Sequence, residues 1–426
     1  MRRIFTSLAP NLETDDLAAA RRLLVSPKSW RQGEQPRELE EWFRNFFNAT
    51  EAKAFASGRT ALYAILKTLN LPVGSEVLLQ AYTCVAVPDP VLWAGLIPVY
   101  VDCNRTLTME STDLEKKITD KSRVLIIQHT FGQPADMEKL MAIAEKHHIF
   151  VIEDCAHALG AISNGKKLGS FGDAAFFSFG RDKVLSSVFG GVVVFNGSMV
   201  NGQWSEVGRR LSAIHASLAF PSRFWTAQQL MHPLVLTLAK RLYDKASIGK
   251  IILELAKRLR IISKAVYATE KRGGHPAFAF WKMPNALATL ALLQIEKLER
   301  FNQHRREISA WYDGAVSGLS GVTRQERGNG GVGIFLRYAV FHKNAHDLIL
   351  FARERGIELG DWYTVPIAPI GVDYTTVGYQ TGSCPVAEEL SRQTFNLPTH
   401  IGITLDDAKY IIETLKQYTS LWRSRR

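Results

Sequence analysis

The sequence predicts an α/β protein, with a large domain built on a mainly parallel sheet and a smaller α+β domain at the C-terminal end. Two observations favour this class. Short apolar runs alternate with helical patterns between residues 76 and 196, which is typical of a parallel sheet with crossover helices. The chain has 426 residues, of which 46% are hydrophobic and 22% charged. This length and composition fit a globular protein of two or three domains and exclude collagen-like, disordered and disulfide-scaffold classes.

The apolar runs of the large domain are rich in Val, Ile and Phe and lack a regular polar alternation. That pattern is typical of strands covered on both faces. The candidate strands are Val77–Gln80, Pro98–Asp102, Val124–His129, Phe150–Glu153, Ala174–Phe179 and Val192–Phe195. Helical patterns, such as Arg59–Leu69 and Ala135–His147, lie between strands. Ligands of such sheets bind at the carboxyl ends of the strands, so polar residues there are the candidate site residues.

The C-terminal part of the chain carries different patterns. A long helix is predicted at Ala286–Glu299, and a strand follows at Phe335–Phe341. Two further helices are predicted at Asn344–Arg355 and Thr404–Tyr418, and proline and glycine make residues 360–385 a loop-rich stretch. We therefore expect an N-terminal segment over residues 1–34, a large domain over 35–283 and a small domain over 284–426.

The formal net charge is +11, and most of it lies in one segment. Between Gly202 and Gly273 there are thirteen basic and four acidic residues, with apolar residues at helical spacing over Gln228–Ala246 and Ile248–Ala268. This basic segment is predicted to be a helical insertion. It could cover the active site or a subunit interface, dock on anionic lipid, or contact a phosphate-rich or lipid-linked sugar. Nucleic acid is disfavoured, because no nucleic-acid-binding motif accompanies the charge.

The cysteines and the N-terminus predict a cytoplasmic protein. The start, Met1–Arg3, is basic, but no apolar region of a signal peptide follows it, and no run of eighteen apolar residues could span a membrane. The cysteines show neither paired nor metal-like spacing, which favours free thiols in a reducing compartment and no metal site. They are Cys84, Cys103, Cys155 and Cys384.

Three features of the large domain together fit one cofactor. Ser57-Gly58-Arg59-Thr60 opens a predicted helix, where free N–H groups bind phosphate as well as being ordinary N-cap chemistry. Asp154 ends a strand, where it could also cap a helix, and Lys183 follows another strand, where a solvated lysine is the ordinary case. Pyridoxal phosphate needs a lysine for its aldehyde, an anion site for its phosphate and a carboxylate for its ring nitrogen. The separation of Asp154 and Lys183 fits a crossover without a helix.

The stretch from Phe55 to Asn196 resembles the DegT/DnrJ/StrS-type sugar aminotransferases, which are fold type I pyridoxal phosphate enzymes. The matching strings are SGRTAL (57–62), HTFGQPADM (129–137), IEDCAHALGA (152–161), GSFGDAAFFSFGRDK (169–183) and NLPTHIGIT (396–404). The resemblance implies a large domain with a mainly parallel seven-stranded sheet sandwiched by helices. It also implies a homodimer whose subunits share their active sites.

The resemblance assigns roles residue by residue. It implies that Lys183 forms the internal aldimine, that Ser178 contacts the phosphate, that Asp154 faces the pyridine nitrogen and that His157 lies beside the ring hydroxyl. The phosphate loop maps onto Gly58, Arg59 and Thr60. Related sugar dehydratases carry histidine in place of the lysine, so Lys183 favours transamination.

Two stretches depart from the family pattern. The position of the aromatic residue that stacks on the cofactor ring holds Cys84, within Gln80–Cys84. The thiol, or another side chain, would then have to cover the ring. The segment Phe280–Met283 stands where the family has N-Y-R-M, so it lacks the Asn that reaches the neighbouring subunit's phosphate and has Lys282 for the Arg.

The expected activity is ping-pong transamination of a keto-sugar, nucleotide- or lipid-linked, with an amino donor such as glutamate. The freed amine of Lys183 would carry the proton between substrate and cofactor carbons. Sugar recognition is expected in the loop 360–385, which contains Asp361, Trp362, Tyr363 and Tyr379. The alternative is a non-catalytic regulator or sensor that keeps the pyridoxal phosphate fold.

Overall fold

The computed structural model describes residues 3–197, 204–243, 248–328 and 330–424. The start of the predicted N-terminal segment, Met1 and Arg2, lies outside the described residues. So do Gly202 and the charged pair Asp244 and Lys245 of the basic segment, with the end of the helix predicted at Gln228–Ala246.

A seven-stranded sheet forms the centre of the large domain. Its strands are β1 (Glu51–Phe55), β2 (Glu76–Gln80), β3 (Ile97–Val101), β4 (Ser122–Gln128), β5 (Phe150–Asp154), β6 (Ala174–Ser178) and β7 (Gly191–Phe195). Their order is β1-β7-β6-β5-β4-β2-β3, and only β7 runs against the other six. The mainly parallel seven-stranded sheet is therefore confirmed. All six predicted strands are present within two residues of their predicted ends, whereas β1 had not been predicted.

Both faces of the sheet are buried, as the lack of polar alternation indicated. Along β2, Leu78 packs into one hydrophobic cluster while Val77 and Leu79 pack into the other. Strand β4 repeats the arrangement, with Leu125 on the first side and Ile126 on the second. Successive side chains of a strand point to opposite faces, so each strand contributes to two helical layers.

The described residues form fourteen α-helices. They are α1 (Thr14–Leu24), α2 (Gln35–Phe47), α3 (Gly58–Thr68), α4 (Pro88–Trp93), α5 (Ser111–Lys117), α6 (Met137–Lys146), α7 (Trp204–Ser217), α8 (Arg223–Arg241), α9 (Ile248–Arg258), α10 (Asn285–Ile295), α11 (Leu298–Val316), α12 (Ala345–Glu354), α13 (Pro385–Gln393) and α14 (Leu405–Ser424). No helix within the described ranges combines the length and the apolar character needed to cross a bilayer.

The C-terminal part has its own hydrophobic core under a three-stranded antiparallel sheet. The strands of this sheet are Thr323–Arg324, Tyr338–Phe341 and Thr394–Leu397, in that spatial order. Helices α11, α12 and α14 pack into this core. The N-terminal strand Ile4–Phe5 pairs with Ile357–Glu358 and adds Ile4 to the same core. Helix α10 instead packs on α2, and the domain boundaries stay a prediction.

Three predicted elements differ from the structure. The helix predicted at Ala286–Glu299 is divided between α10 and α11, because Lys297 at the break turns inward to Asp15 and Asp16, at 2.6 and 3.1 Å. The helix predicted at Ile248–Ala268 ends at Arg258. There the chain turns through Arg260, whose φ is +55°. The strand predicted at Phe335–Phe341 begins only at Tyr338, since Phe335 has a φ of +51°.

The described part of the basic segment folds onto the large domain as three helices. Helix α7 packs against α3, α8 against α1 and α10, and α9 against α8. The contact between α8 and α9 is close: a Cβ on Gly249 would lie 2.2 Å from the carbonyl oxygen of Ala239. Because Gly249 and Ala256 are the buried residues of α9, this helix meets α8 with small side chains and turns its larger apolar side chains away.

We expect Phe43→Ala to lower the free energy of unfolding by about 3–5 kcal/mol, the usual cost of removing a buried phenyl ring. Phe43 is 0% exposed and lies 5.0 Å from the ring of Phe177 and 5.8 Å from that of Phe179. Phe224→Ala is the control, because its ring is on a helix but 62% exposed. The measurement is the urea midpoint of both variants, and equal midpoints would contradict the packing described.

Candidate active site

A cavity of about 650 Å³ opens where strands β4, β5 and β6 end. Seven of the eight residues that the sequence assigns to the cofactor lie in its wall. They are Gly58, Arg59, Cys84, Asp154, His157, Ser178 and Lys183. Thr60 does not: its hydroxyl bonds to the Ser57 hydroxyl and the Phe278 carbonyl oxygen behind the wall. No described helix separates Asp154 from Lys183, as the spacing indicated.

The amine of Lys183 lies 2.8 Å from Nε2 of His157. The backbone N–H of Phe131 donates to Nδ1 of the same imidazole, at 3.3 Å. A neutral imidazole that accepts at Nδ1 carries its proton on Nε2. His157 therefore donates to Lys183, which requires the lysine amine to be unprotonated.

The surroundings of this pair favour the same protonation state. Burial lowers the pKa of Lys183, and the Arg337 guanidinium adds to the effect, although Cys84 and Asp154 oppose it. Burial also lowers the pKa of His157 well below its usual value, helped by the charges of Lys183 and Arg337. Desolvation disfavours the charged form of each group, so burial moves both groups towards their neutral forms.

The two acids at the end of β5 have different roles. Asp154 faces the cavity and accepts a hydrogen bond from the Ala156 N–H, and burial raises its pKa. Glu153 points to the opposite side, where it accepts from the backbone N–H groups of Gly169, Phe171 and Gly172. Glu153 therefore holds the backbone of the connection between β5 and β6, and Asp154 is the carboxylate available to a ligand.

The N-terminus of α3 forms one end of the cavity. Ser57 caps the helix by accepting from the Thr60 N–H at 3.1 Å. The N–H groups of the helix that precede Thr60 have no intrahelical partner. A Cβ on Gly58 would lie 2.9 Å from Cβ of Ser178. The glycine is needed for this close approach, which brings the Ser178 hydroxyl beside the helix start.

The turn that carries Lys183 is held from behind by the N-terminal segment. The Asn11 amide donates to the carbonyl oxygens of Lys183 and Val184, at 2.7 and 3.1 Å. Arg305 donates to Val184 and to the Asn11 side-chain oxygen. Both side chains are buried, so the backbone on either side of the amine is fixed.

The loop 360–385 reaches the cavity because its strand Ile367–Ala368 pairs in parallel with Thr83–Cys84. Of the residues predicted for sugar recognition, Asp361, Trp362 and Tyr363 line the cavity. Tyr379 does not; its hydroxyl donates to Glu388. Trp362 stacks on the His157 ring at a centroid distance of 5.7 Å.

The two departures from the family pattern, Cys84 and Phe280–Met283, lie in different surroundings. Cys84 lies in the cavity wall, and burial raises the pKa of its thiol. The Phe280 ring packs against Tyr63 and His275, and the Lys282 amine donates to the Ala216 carbonyl oxygen. No residue of Phe280–Met283 is among those lining the cavity.

The sequence analysis missed several lining residues, among them Ser57, Gln128, Arg181 and Asp182. Three of the four lie inside matching strings, so their position beside assigned residues was a usable signal. Gln128 is the last residue of β4, and its amide donates to Thr130 at 2.8 Å. The position of Gln128 at a strand end, beside the ends of β5 and β6, was the signal that could have identified it.

The donor set suits pyridoxal phosphate. A phosphate accepts from free N–H groups at a helix start and from a hydroxyl, and the α3 N-terminus and Ser178 offer both. An unprotonated lysine amine suits an aldehyde. A buried carboxyl with one oxygen hydrogen-bonded to the backbone, as in Asp154, suits a protonated ring nitrogen.

The sequence profile of the DegT/DnrJ/EryC1/StrS aminotransferase family matches residues 10–207 and 252–416. The chain belongs to this family. It is an aminotransferase, and its family depends on pyridoxal phosphate, so the expectations of family, fold class, enzyme class and cofactor are confirmed. The residues between the two matched ranges all lie in the basic segment.

Individual proteins agree with the family. GDP-perosamine synthase of Vibrio cholerae is 24% identical over 390 residues, which are 89% of each chain. UDP-N-acetyl-3-dehydro-alpha-D-glucosamine 3-aminotransferase of Acidithiobacillus ferrooxidans is 28% identical over 380 residues, covering 88% of this chain and 86% of that protein. The structure of Spr1654 from Streptococcus pneumoniae in its PLP form, 21% identical, covers 98% of this chain and 99% of its own with a TM-score of 0.77, which shows a shared fold.

We expect His157→Phe to raise the pH at which Lys183 captures the cofactor by roughly 0.5–1 unit, because a hydrogen bond worth about 1 kcal/mol corresponds to somewhat less than one pKa unit. The donated hydrogen bond stabilises the neutral amine, so its loss raises the amine's pKa. The measurement is the rate at which visible absorbance develops when pyridoxal phosphate is added to cofactor-free protein at different pH values. His157→Gln is the control, since its amide can still donate; a midpoint that is unchanged or lower in His157→Phe would count against the assigned tautomer.

Proposed function

We propose that this chain transfers the amino group of an amino acid such as glutamate to a keto-sugar that is linked to a nucleotide or a lipid. The observation that carries the proposal is the buried Lys183 amine, 2.8 Å from His157, in a cavity that also holds Asp154, Ser178 and the α3 N-terminus. The two relatives reported above support a nucleotide sugar as acceptor. Their names describe a GDP-sugar and a UDP-sugar enzyme.

The side chains of the cavity would have separate roles in the reaction. Asp154 would hold the proton of the cofactor's ring nitrogen, and the α3 N-terminus with Ser178 would hold its phosphate. The bound cofactor supplies an electron sink for charge that develops on the substrate carbon. Lys183 would hold the cofactor through its aldehyde, and its amine would take and return the proton at the reacting carbon.

His157 supports the proton-transfer role of Lys183. Since the imidazole donates to the amine, the hydrogen bond favours the neutral form of the amine and orients it in the cavity. A general base works best when its pKa is near the working pH. Burial, which lowers the pKa of Lys183, moves the amine in that direction.

The proposed sugar site is the part of the wall made by Asp361, Trp362 and Tyr363. Trp362 and Tyr363 offer flat apolar surfaces for a sugar ring, while Asp361 offers an acceptor for its hydroxyl groups. The proposed enzyme is a homodimer with shared active sites, as the resemblance implies. Light scattering of the purified protein measures its mass, and a monomer that remains fully active would contradict the shared site.

A second proposal concerns the outer face of α9: we propose that it docks on an anionic lipid surface. Ile251, Leu255 and Leu259 follow one another at four-residue spacing and are 53%, 50% and 66% exposed. The helix packs on α8 through its small residues, so this stripe is not needed for packing. Basic side chains without a salt bridge in the described part of the chain lie in the last turn of α9 and just after the helix. They are Lys257, Arg258, Arg260 and Lys264.

An apolar stripe with a basic border is the pattern of a helix that lies in the membrane interface, with its cations at anionic headgroups. The wall residues Ala265 and Val266 follow α9 closely in sequence. A lipid-docked enzyme would therefore hold this side of its cavity near the bilayer, where a lipid-linked sugar is found.

We expect Lys183→Ala to lower the rate of amino transfer by at least about a thousandfold, because it removes the group that moves the proton. The measurement is mass spectrometry of a panel of keto-sugar nucleotides incubated with glutamate and the enzyme. Lys183→Arg, which keeps a long basic side chain but has no amine that can bond to the cofactor's aldehyde, should be equally inactive. Borohydride reduction of the wild type followed by peptide mapping should mark residue 183; a tag on another lysine would overturn the proposal.

We expect the wild type to sediment with vesicles containing phosphatidylglycerol and to stay in the supernatant with phosphatidylcholine alone. The double variant Ile251→Glu/Leu255→Glu should bind the anionic vesicles at least tenfold more weakly, since burying each of these side chains contributes about 1.5–3 kcal/mol. Val73→Glu, at a position 97% exposed on another surface, is the control. Equal binding of all three proteins, or a stripe that proves to join two copies of the chain, would refute lipid docking.

A further inference from the structure

Arg181 is a cation of the cavity wall without a salt bridge in the described part of the chain; Lys271, another wall cation without one, donates to the Ile370 carbonyl oxygen. Arg181 lies between Ser178 and Lys183 and lines the cavity. Its Nε is buried and has no hydrogen-bond partner, and no described carboxylate is within ion-pair distance of its guanidinium. The neighbouring Arg59, by contrast, is paired with Glu270. Burial lowers the pKa of Arg181 to about 10, so the side chain is still a cation at neutral pH.

The basic segment holds this guanidinium in place. Nη2 of Arg181 donates to the Ser263 hydroxyl at 2.6 Å, and that hydroxyl donates to the Gln229 side-chain oxygen at 2.8 Å. The Gln229 amide in turn donates to the Trp225 carbonyl oxygen. Both Gln229 and Trp225 lie on α8, between the two ranges matched by the family profile. Ser263, the direct partner of Arg181, lies within the second matched range, whereas the residues behind it on α8 lie outside both ranges.

Arg181 is at the same end of the cavity as the N-terminus of α3. The guanidinium carbons of Arg181 and Arg59 lie 5.6 and 5.9 Å from the centre of the Phe189 ring. Gly191, two residues after Phe189, lies close to the start of α3. A Cβ on Gly191 would lie 2.6 Å from the Gly58 nitrogen. An unpaired guanidinium and a helix N-terminus both attract phosphate groups.

We propose that Arg181 and the N-terminus of α3 form a subsite for a phosphate group, with the guanidinium positioned by Ser263 and Gln229. A phosphate has enough acceptor oxygens to bond to the helix start and to Arg181 together. This inference rests on the proposed function, which places the cofactor's phosphate at the α3 N-terminus and so makes the cofactor the source of the group. A phosphate of the sugar substrate that reaches Arg181 alone is the other outcome that the test distinguishes.

The test compares Arg181→Met with Arg260→Met, which removes the same charge from an exposed position of the basic segment. Cofactor-free protein is titrated with pyridoxal phosphate and with pyridoxal, and the cofactor-loaded protein is titrated with UDP and GDP by calorimetry. We expect Arg181→Met to weaken binding about 10- to 100-fold, the size of a charged hydrogen bond. If the cofactor is the source, only pyridoxal phosphate is affected; if the substrate is the source, only the nucleotides are.

Two further variants separate charge from position. Arg181→Lys should keep part of the affinity, and Gln229→Leu should lose part of it while the guanidinium is retained. Wild-type affinity of Arg181→Met for pyridoxal phosphate, UDP and GDP would overturn the subsite. Inorganic phosphate titrated into cofactor-free protein tests the subsite separately, while borohydride mapping of residue 183 in Arg181→Met tests the proposed function.

Discussion

The hydrogen bond from His157 to an unprotonated Lys183 is the interaction on which the site depends. This hydrogen bond depends on the burial of both side chains, because a lysine amine in water would be protonated. The fold provides this condition by placing the pair under the loop that carries Trp362. Without the burial, the same two side chains would repel each other as cations in mildly acidic solution and would leave the amine unreactive.

The parallel sheet brings the chemistry together, and the rest of the chain fixes it. Strands β5 and β6 are neighbours that run in the same direction, so Asp154 and the turn with Lys183 emerge at one edge. Asn11, near the start of the chain, and Arg305, on α11, then hold the backbone of that turn. Arg305 is itself a buried cation, and removing one partner of such a network leaves others unsatisfied. The fixed backbone directs the amine to one point in the cavity.

Much of this architecture was readable from local patterns. The six predicted strands and the matching strings depend on residues close in sequence, and seven of the eight residues assigned to the cofactor from them line one cavity. The errors arose from contacts between distant residues. The break at Lys297 is made by Asp15 and Asp16 near the start of the chain, and no local pattern in Ala286–Glu299 signals it.

The same reason explains which site residues the sequence could not assign. Thr60 is part of the predicted phosphate loop, yet its hydroxyl is taken by Ser57 and by Phe278 from another part of the chain. Tyr379 shares a loop with Trp362, but Glu388 holds its hydroxyl away from the cavity. Arg181 was visible in the string that contains Lys183, while its partner Ser263 lies 82 positions further on. Sequence spacing indicates which residues lie at a strand end; it does not show which of them are already paired.

The basic segment has two faces with separable physical roles. Its inner face contributes Gln229 to the network behind Arg181, whereas its outer face exposes Ile251 and Leu255. Helix α9 contacts α8 through Gly249, which lies against Ala239. The outer side chains of α9 can therefore be changed without disturbing the hydrogen bonds of Gln229 behind Arg181. A side chain at position 249 would instead push α9 away from α8 and affect both faces. The segment is therefore a rigid link between an outer surface and the cavity wall, and its close backbone packing is what allows one insertion to serve both.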